Sequence, residues 1–252
     1  MSVKIGVSPI SWTNDDMPEL GRDTTVEHCL QEGKQAGFSG FELGGKWPRE
    51  KSILEPLFNK YEMEVVSSWF DGNLLVDSLE DEIKRITPHM QLLKDLGTEV
   101  IVYCEMDACV QGEITVPLSQ RPVISEDQWQ EWTIKLNQLA KYTLSHGMQL
   151  AYHHHMGTIV QIEEEVDKLM AMTSNDLGLV LDTGHLIYAG SDPLRVYEKY
   201  SDRVLHIHCK DVRKTMLDDA LNTDSSFLNA VLSGVFTVPG DGDYNFPDLF
   251  KL

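Results

Sequence analysis

Short apolar segments alternate with longer amphipathic segments along almost the whole chain. The apolar segments are mostly Val, Ile and Leu without polar alternation, which is typical of parallel strands buried on both faces. They predict strands over residues 3–7, 41–43, 65–69, 100–104, 150–152, 177–181 and 204–207. Apolar positions spaced by three or four residues predict helices over 25–36, 50–61, 79–96, 126–146, 162–172 and 193–200.

This alternation gives about seven strand–helix units, which fits two architectures. One is the closed eight-stranded barrel and the other is an open, doubly wound sheet. The first strand is followed by SPISW rather than a glycine-rich turn, and no GxGxxG motif occurs. Polar residues follow nearly every strand, which suits a ring of loops around one mouth. We therefore predict an α/β fold, a TIM (β/α)8-type barrel forming a single domain over residues 1–252.

The last part of the sequence predicts an incomplete barrel. DGDYNFPDLFKL indicates a turn and the beginning of a helix, whereas one further unit takes roughly 30 residues. The eighth βα unit is therefore expected to be missing, or the barrel to be open. The apolar pattern over 227–236 predicts a lid or a surface helix packed on the barrel.

The composition limits which classes of partner and which cell compartment are expected. The formal charge of −19 repels phosphate backbones and anionic membranes, so neither a nucleic acid nor a membrane is expected as a partner. No apolar segment approaches the ~18 residues of a membrane span, and the first residues do not resemble a signal peptide. The four cysteines follow no CxxC spacing, which indicates free thiols in a reducing cytoplasm. The sequence leaves a homo-oligomer open.

Polar residues gather where the predicted strands end, and active sites of such barrels lie at those ends. In LVLDTGH, Asp182 and His185 offer two metal-type ligands around a tight turn, although Asp182 could equally cap the next helix. In LHIHCKD, strand alternation puts His206, His208 and Lys210 on one side. Such residues inside a barrel are costly unless they bind something, although one of these histidines could be an ordinary core residue.

The segment YHHHMG carries three consecutive histidines at the end of a predicted strand. Alternation sends His153 and His155 to one face and His154 to the other. Two of the three imidazoles could therefore meet Asp182 and His208. Two imidazoles and a carboxylate suit Mn²⁺, Fe²⁺, Co²⁺ or Zn²⁺ better than Mg²⁺ or Ca²⁺. We interpret the pair as one ligand and one helper, without assigning which is which.

Weaker candidates lie on the same rim. Glu42 and Glu105 follow the second and fourth strands and could act as bases, or could pair with Lys46 or with backbone amides. Several aromatic residues near the strand ends could form a wall for a substrate or simply belong to the core: Trp12, Trp47, Trp69 and Phe70.

Taken together, six segments closely resemble the inosose dehydratases of bacterial inositol catabolism: SPISWTNDDMPELG, GFSGFELGGKWPR, AYHHHMGT, LDTGH, HIHCKDVR and SFLNAVLSGVFTVPGDGD. The resemblance covers residues 5–250. LDTGH and HIHCKD are shared with the wider xylose-isomerase-like barrel superfamily, whereas SPISWTNDD, YHHHMGT and FTVPGDGD are specific to the dehydratases.

The resemblance implies a metal site. That superfamily holds a divalent ion with a carboxylate after strand five, an Asp after strand six, a His after strand seven and a Glu after strand eight. The corresponding residues here are His153, which replaces the first carboxylate, then Asp182 and His208; the final Glu has no counterpart in these residues. His185 is expected to contact substrate hydroxyls. Further substrate-binding candidates on the rim are His206, Lys46 and Trp12.

The implied reaction is loss of water from 2-keto-myo-inositol, a cyclic polyol ketone, to give a trihydroxycyclohexane dione. It implies Mn²⁺ or Co²⁺ as Lewis acid, with proton transfers from the pool His155, Glu105 and Lys210. The family is also associated with glutathione. Two alternatives stay open from the sequence: a metal-dependent ketose isomerase or epimerase on the same barrel, and an inactive fragment whose barrel does not close.

Overall fold

The computed structural model describes residues 5–251, in which parallel strands alternate with helices. The strands are β1 (Gly6–Val7), β2 (Gly40–Leu43), β3 (Glu64–Gly72), β4 (Val100–Glu105), β5 (Gln149–His153), β6 (Leu177–Asp182) and β7 (Val204–His208). The helices between them are α1 (Val26–Gln35), α2 (Lys51–Lys60), α3 (Leu79–Asp95), α4 (Glu126–Ser145), α5 (Glu163–Met172), α6 (Thr183–Tyr188) and α7 (Pro193–Tyr200).

The seven strands form one parallel sheet in sequential order, and that sheet is strongly curled. Neighbouring strands lie about 4.8 Å apart, so β2 and β7 would be roughly 24 Å apart in a flat sheet. Yet Nε2 of His208 on β7 lies 3.2 Å from a carboxylate oxygen of Glu42 on β2. His206 on β7 likewise lies 3.3 Å from the hydroxyl of Ser67 on β3. β2 and β3 therefore face β7 across the mouth of an open barrel.

Helix boundaries follow the local sequence. Thr25, Ser78 and Ser125 precede α1, α3 and α4, and the side chain of each accepts a backbone N–H of the first turn. Gln128 completes a capping box with Ser125, which satisfies two N–H groups that the helix itself cannot pair. The helices pack their apolar faces on the outside of the sheet, and Val102, Ala151 and Val180 fill the inside.

The segment after β7 folds over the mouth of the barrel, and we call residues 211–244 the cap. It contains β8 (Asp211–Val212), α8 (Lys214–Asn222), α9 (Phe227–Leu232) and β9 (Phe236–Thr237), and β8 pairs with β9 antiparallel. A last helix, α10 (Phe246–Leu249), follows the cap. The cap has an apolar cluster of its own, which includes Phe227 and Val235 and also takes in Met17 and Met156.

The predicted fold class is confirmed, with strand and helix bounds mostly within two residues. Residues 3 and 4 of the first predicted strand lie outside the described residues, and β3 continues to Gly72. Among the described residues the sheet has seven strands of a (β/α)8 pattern, without an eighth strand. Segment 227–236, predicted as a lid or a surface helix, forms α9 and leads into β9, whereas α6, α8 and β8 were not predicted.

Two further sequence predictions can be compared with the described residues. Cys29, Cys104, Cys109 and Cys209 are all unpaired thiols, as their spacing predicted. Across residues 5–251, none of the helices combines the length and the apolar character that crossing a membrane requires.

Candidate active site

Three side chains meet at the ends of three consecutive strands. His153, Asp182 and His208 are the last residues of β5, β6 and β7, and Asp182 stands directly beside His208 in the register. Nε2 of His153 lies 3.0 Å from Nδ1 of His208. Oδ2 of Asp182 lies 3.3 Å from Nε2 of His153 and 3.4 Å from Nδ1 of His208. These three atoms form a compact triangle, buried at His153 and Asp182 and half-buried at His208, which we call the donor triangle.

The donor triangle fits a divalent transition metal. Metal–ligand bonds of about 2.1 Å at angles of 90–110° put neighbouring donor atoms roughly 3.0–3.4 Å apart. The three separations fall in that range. Hydrogen bonding alone satisfies the triangle poorly, because each of its three atoms faces both of the others. Two imidazole nitrogens and one carboxylate oxygen also match the donor set of Mn²⁺, Co²⁺, Fe²⁺ or Zn²⁺.

Asp182 uses its two oxygens for two tasks. Oδ1 accepts the backbone N–H of His185 at 3.0 Å and so caps α6, while Oδ2 belongs to the donor triangle. The hydroxyl of Thr183 donates to the carbonyl of Lys210 and accepts its N–H, which ties the turn to the segment that follows β7. Any Cβ at Gly184 would lie 2.6 Å from Cβ of Lys210, so the Thr-Gly turn permits this close approach. The capping and ligand interpretations of LDTGH are therefore compatible.

His155 and His185 lie against each other, and the backbone of Met156 orients both. Their ring centroids are 3.8 Å apart. Nδ1 of His155 lies 2.8 Å from the carbonyl of Met156, to which only a protonated nitrogen can donate. Nδ1 of His185 accepts the N–H of Met156 at 3.3 Å, so its proton belongs on Nε2. This assignment leaves His155 with a free acceptor at Nε2 and His185 with a donor at Nε2.

Burial keeps most of these imidazoles neutral. Desolvation lowers the pKa of His153 to about 4 and that of His154 to about 3. It also holds the pKa values of His155 and His185 well below the usual histidine range. Neutral imidazoles can bind a metal or accept a proton at physiological pH.

His208 is the exception among these histidines. Burial opposes its protonation, but the Glu42 carboxylate, with Asp182, raises the pKa of His208 to about 9. Asp182 itself stays ionised: burial opposes its charge, yet Lys210 and the neighbouring histidines hold its pKa well below the usual range. The ammonium of Lys210 forms an ion pair with Oδ2 of Asp182, so a cation already faces the donor triangle.

A second polar group lies behind His208. Glu42 is buried, and its Oε2 accepts the hydroxyl of Ser67. The same oxygen lies 3.2 Å from Nε2 of His208 and 3.5 Å from Nε2 of His206. Burial raises the pKa of Glu42, but the two histidines outweigh it and hold that pKa well below its ordinary value. Glu42, His206 and His208 are thus a second group of three residues with metal-type donor atoms.

Aromatic rings enclose the cluster. Trp69 on β3 approaches His153 and His155 edge-on, with ring centroids 5.1 and 5.9 Å away. From the cap, Phe227 lies 4.9 Å from His155, and Phe236 lies 5.5 Å from His185. The rings shield His153, His155 and His185 from water, which strengthens hydrogen bonds and charge interactions around them. Of the aromatic residues predicted as a wall, Trp69 has this position.

His154 points away from the donor triangle, as strand alternation predicted. Its Nε2 accepts the backbone N–H of Asp182 at 3.3 Å, and the side chain is fully buried. His153 contacts both Asp182 and His208, whereas His155 contacts His185 instead. The run of histidines therefore provides one member of the donor triangle, one member of the His155–His185 pair and one support for β6.

Three sequence candidates have partners elsewhere in the described residues. Glu105 accepts N–H groups of Leu74, Asp107 and Trp132. Nζ of Lys46 donates to three backbone carbonyls of the loop before α1, at residues 21, 22 and 24. The indole N–H of Trp12 donates to Glu32 on α1. Their predicted catalytic and substrate-binding roles stay predictions, and none of these hydrogen bonds reaches the donor triangle.

Several residues of the site were not among the sequence candidates. Ser67 and Met156 act through a hydroxyl and a backbone group, which carry no distinctive sequence signal. Phe227 and Phe236 lay in the segment predicted as a lid, so their approach to the histidines could have been inferred only as a general covering of the mouth.

The fold and the cluster together define a (β/α)-barrel with a polar site at the carboxyl ends of its strands. The family model described as "Xylose isomerase-like TIM barrel" matches residues 30–252. An inosose dehydratase of Clostridium perfringens is 43% identical over 253 residues, covering 100% of this chain and 85% of that protein. The rhizopine catabolism protein MocC of Rhizobium meliloti is 45% identical over 251 residues, covering 100% of this chain and 77% of that protein. The chain belongs to the xylose isomerase-like TIM barrel family and, within it, to the inosose dehydratase family of enzymes.

Solved structures agree with this fold. The probable 3-DHS dehydratase AsbF of Bacillus anthracis matches with a TM-score of 0.73 at 16% identity, covering 99% of this chain and 88% of that one. The IOLI protein with a bound zinc atom matches with a TM-score of 0.70 at 13% identity, covering 99% and 84%. At these identities the likeness concerns the fold alone.

Proposed function

We propose that this chain is a metal-dependent dehydratase of inositol metabolism that eliminates water from inosose, 2-keto-myo-inositol, to give a trihydroxycyclohexane dione. The observation that carries the proposal is the donor triangle of His153, Asp182 and His208, with the His155–His185 pair beside it. The choice of inosose as substrate rests on relatives named inosose dehydratase, which are 41–43% identical over the whole chain.

His153, Asp182 and His208 would hold Mn²⁺ or Co²⁺. When bound, such an ion supplies Lewis-acid polarisation of a carbonyl, which makes the neighbouring C–H more acidic. The chain contributes two imidazoles and one carboxylate at fixed separations, with Trp69 packed against His153.

The proton transfers fall to side chains around the donor triangle. His155 is suited to remove the proton next to the ketone, because it is neutral and its Nε2 keeps a free lone pair. His185 is suited to donate a hydrogen bond from Nε2 to a ring hydroxyl. Lys210, whose ammonium pairs with Asp182, is suited to protonate the departing β-hydroxyl.

The proposal is tested by incubating purified protein with inosose and Mn²⁺ or Co²⁺, with and without glutathione, while the dione is followed by its absorbance. We expect dione formation that a chelator abolishes and added metal restores. A ketohexose is the comparison substrate: turnover of ketohexose without dione formation would replace the proposal by the isomerase alternative.

Asp182→Asn is the matched variant for this assay. Asparagine keeps an oxygen that can cap α6 at the N–H of His185 but loses the carboxylate charge. We expect a folded protein with little bound metal by elemental analysis and little dione formation. Full metal occupancy in this variant would exclude Asp182 from the metal site.

A further inference from the structure

His208 has a nitrogen on each side of its ring, and both have partners. Nδ1 faces His153 and Asp182 at 3.0 and 3.4 Å, and Nε2 faces Glu42 at 3.2 Å. Only an unprotonated nitrogen can bind a metal, so the other nitrogen must carry the proton and needs an acceptor. Which nitrogen serves which purpose is decided by the groups around the ring.

Glu42 is built to accept that proton. It is 7% exposed, and its side chain makes the contact between β2 and β7 across the barrel mouth. Its Oε2 is shared by the hydroxyl of Ser67 and the Nε2 atoms of His206 and His208. A buried carboxylate is strongly unfavourable without such donors. The contact therefore fixes the ring of His208 from the side opposite to the donor triangle.

We propose that Glu42 is a positioning residue for the metal site: it accepts the Nε2 proton of His208 and so leaves Nδ1 free to bind the ion beside Asp182 and His153. The proposal rests on the proposed function only in requiring a divalent ion in the donor triangle. A carboxylate behind a metal-binding histidine orients the ring and makes the bound nitrogen more basic, which is the general physical reason for the role.

Glu42, His206 and His208 could instead hold a second ion, because their donor atoms lie within 4.8 Å of one another. That arrangement would require both nitrogens of His208 to lose their protons whenever the donor triangle is also filled. Since an imidazole gives up its second proton only at great cost near neutral pH, the geometry favours one ion and a Glu42–His208 hydrogen bond. The number of ions per chain separates the two arrangements.

The test measures binding of Zn²⁺ to the purified protein by competition with a chelator, without any organic substrate. Glu42→Leu removes the acceptor, whereas Glu42→Gln keeps a neutral oxygen in its place. We expect one Zn²⁺ per chain in the wild type and a loss of affinity of about 10- to 100-fold in Glu42→Leu, with a smaller loss in Glu42→Gln. Glu55→Gln, on the exposed side of α2, controls for the loss of one negative charge and should leave affinity unchanged.

A spectroscopic signature separates positioning from general damage. In the zinc-loaded wild type, nitrogen NMR should show His208 protonated at Nε2 and zinc-bound at Nδ1. Glu42→Leu should lose this single pattern. If Glu42→Leu does not fold, Glu42→Gln decides the question. In that variant the Nε2 proton of His208 faces a neutral acceptor, so it should resonate upfield of its position in the wild type.

The outcomes are separate from those of the dehydratase assay. Unchanged zinc affinity and an unchanged His208 pattern in folded Glu42→Leu would overturn the positioning role, as would an unshifted Nε2 proton in Glu42→Gln. Two Zn²⁺ per chain, falling to one in Glu42→Gln, would overturn it in favour of a second metal site. If zinc binding behaves as expected but no dione forms from inosose, the positioning role stands and the proposed function fails.

Discussion

At the scale of single residues, neighbours in the chain take opposite tasks because a strand turns successive side chains to opposite faces. His153 faces the donor triangle, while His154 faces the backbone of β6 and accepts the N–H of Asp182. The histidine run is therefore not one site with three equal members. His153 belongs to the triangle, whereas His154 supports Asp182, another member of the triangle.

This division gives a prediction for His154. Glutamine can keep an acceptor near Nε2 for the N–H of Asp182, whereas asparagine is too short. We expect His154→Asn to lose about 1–3 kcal/mol of unfolding free energy, as for a buried donor left unpaired, and His154→Gln to lose less. Turnover of inosose by folded His154→Asn should stay within about tenfold, roughly 1.4 kcal/mol of barrier. A loss of several hundredfold would instead mean that His154 takes part in the chemistry.

Lys210 gives a second prediction at this scale, concerning which of the two proton transfers it serves. Removal of the proton next to the ketone and loss of the β-hydroxyl can be measured separately, by exchange with deuterated solvent and by dione formation. If Lys210 is the acid, Lys210→Met should still exchange that proton but eliminate water about 10²–10⁴-fold more slowly.

Because Lys210 also pairs with Asp182, the Lys210 experiment needs two controls. Metal content must be measured in each variant, and Lys210→Arg tests whether a positive charge alone suffices. Equal losses of exchange and elimination in metal-replete Lys210→Met would assign Lys210 to the first proton step or to binding.

At the scale of elements, strands and outer helices could be predicted because their pattern is local. Buried parallel strands are recognisable as runs of Val, Ile and Leu, and α4 begins at a capping box formed by Ser125 and Gln128. The cap could not be predicted in the same way. Its strands are two residues each, too short for a periodic signal, and the loop after β9 is held by one side chain of β8.

That side chain is Asp211, which organises the cap. Oδ1 accepts the N–H groups of Val212 and Tyr244, and Oδ2 accepts those of Gly240 and Gly242, all at 2.8–3.0 Å. A Cβ at Gly242 would lie 2.4 Å from Oδ1 of Asp211, so glycine is required where the loop passes the carboxylate. Both glycines of the PGDGD motif thus donate their N–H groups to the buried carboxylate of Asp211.

We therefore expect Asp211→Asn to loosen the cap. The amide NH2 would face two backbone donors that the carboxylate now accepts, with an expected loss of roughly 2–4 kcal/mol. Hydrogen exchange should rise at residues 240–244, and turnover should fall because Phe227 and Phe236 would cover His155 and His185 less well. Asp218→Asn, exposed on α8 and outside that loop, is the control. Equal exchange rates in the two variants would rule out this role for Asp211.

At the scale of the whole molecule, the site depends on contacts between residues far apart in sequence. The sequence identified His153, Asp182 and His208 as candidates because each follows a strand and parallel strands end at one edge. It could not pair Glu42 with His208, because that contact depends on how tightly the sheet curls. Nor could it separate Glu105 from the cluster, because residues at the same edge of a barrel can face inwards or towards the helices.

Glu105 illustrates this long-range dependence. It lies on β4 with no exposed surface, and its oxygens accept N–H groups from Leu74 after β3, from Asp107 and from Trp132 on α4. It therefore holds two strand ends and a helix together. Burial raises its pKa to about 7, against 4.5 for an ordinary glutamate.

This raised pKa predicts how the stability of the whole protein changes with pH. The unfolded chain releases the Glu105 proton near pH 4.5, whereas the folded protein keeps it until about pH 7. The contribution of Glu105 is thus fully present below pH 4.5 and is lost as pH rises through about 7. A difference of roughly 2.5 pKa units corresponds to ~3 kcal/mol.

Glu105→Gln removes the titrating group. The unfolding free energy of the variant, relative to that of the wild type, should therefore rise by up to ~3 kcal/mol between pH 4 and pH 8. Denaturant unfolding at several pH values measures the difference, and Glu55→Gln on the exposed side of α2 should follow the wild type. Parallel pH profiles for Glu105→Gln and the wild type would contradict the raised pKa. An ionised Glu105 held by its three N–H donors would then be the better description, with the buried charge stabilised by hydrogen bonding.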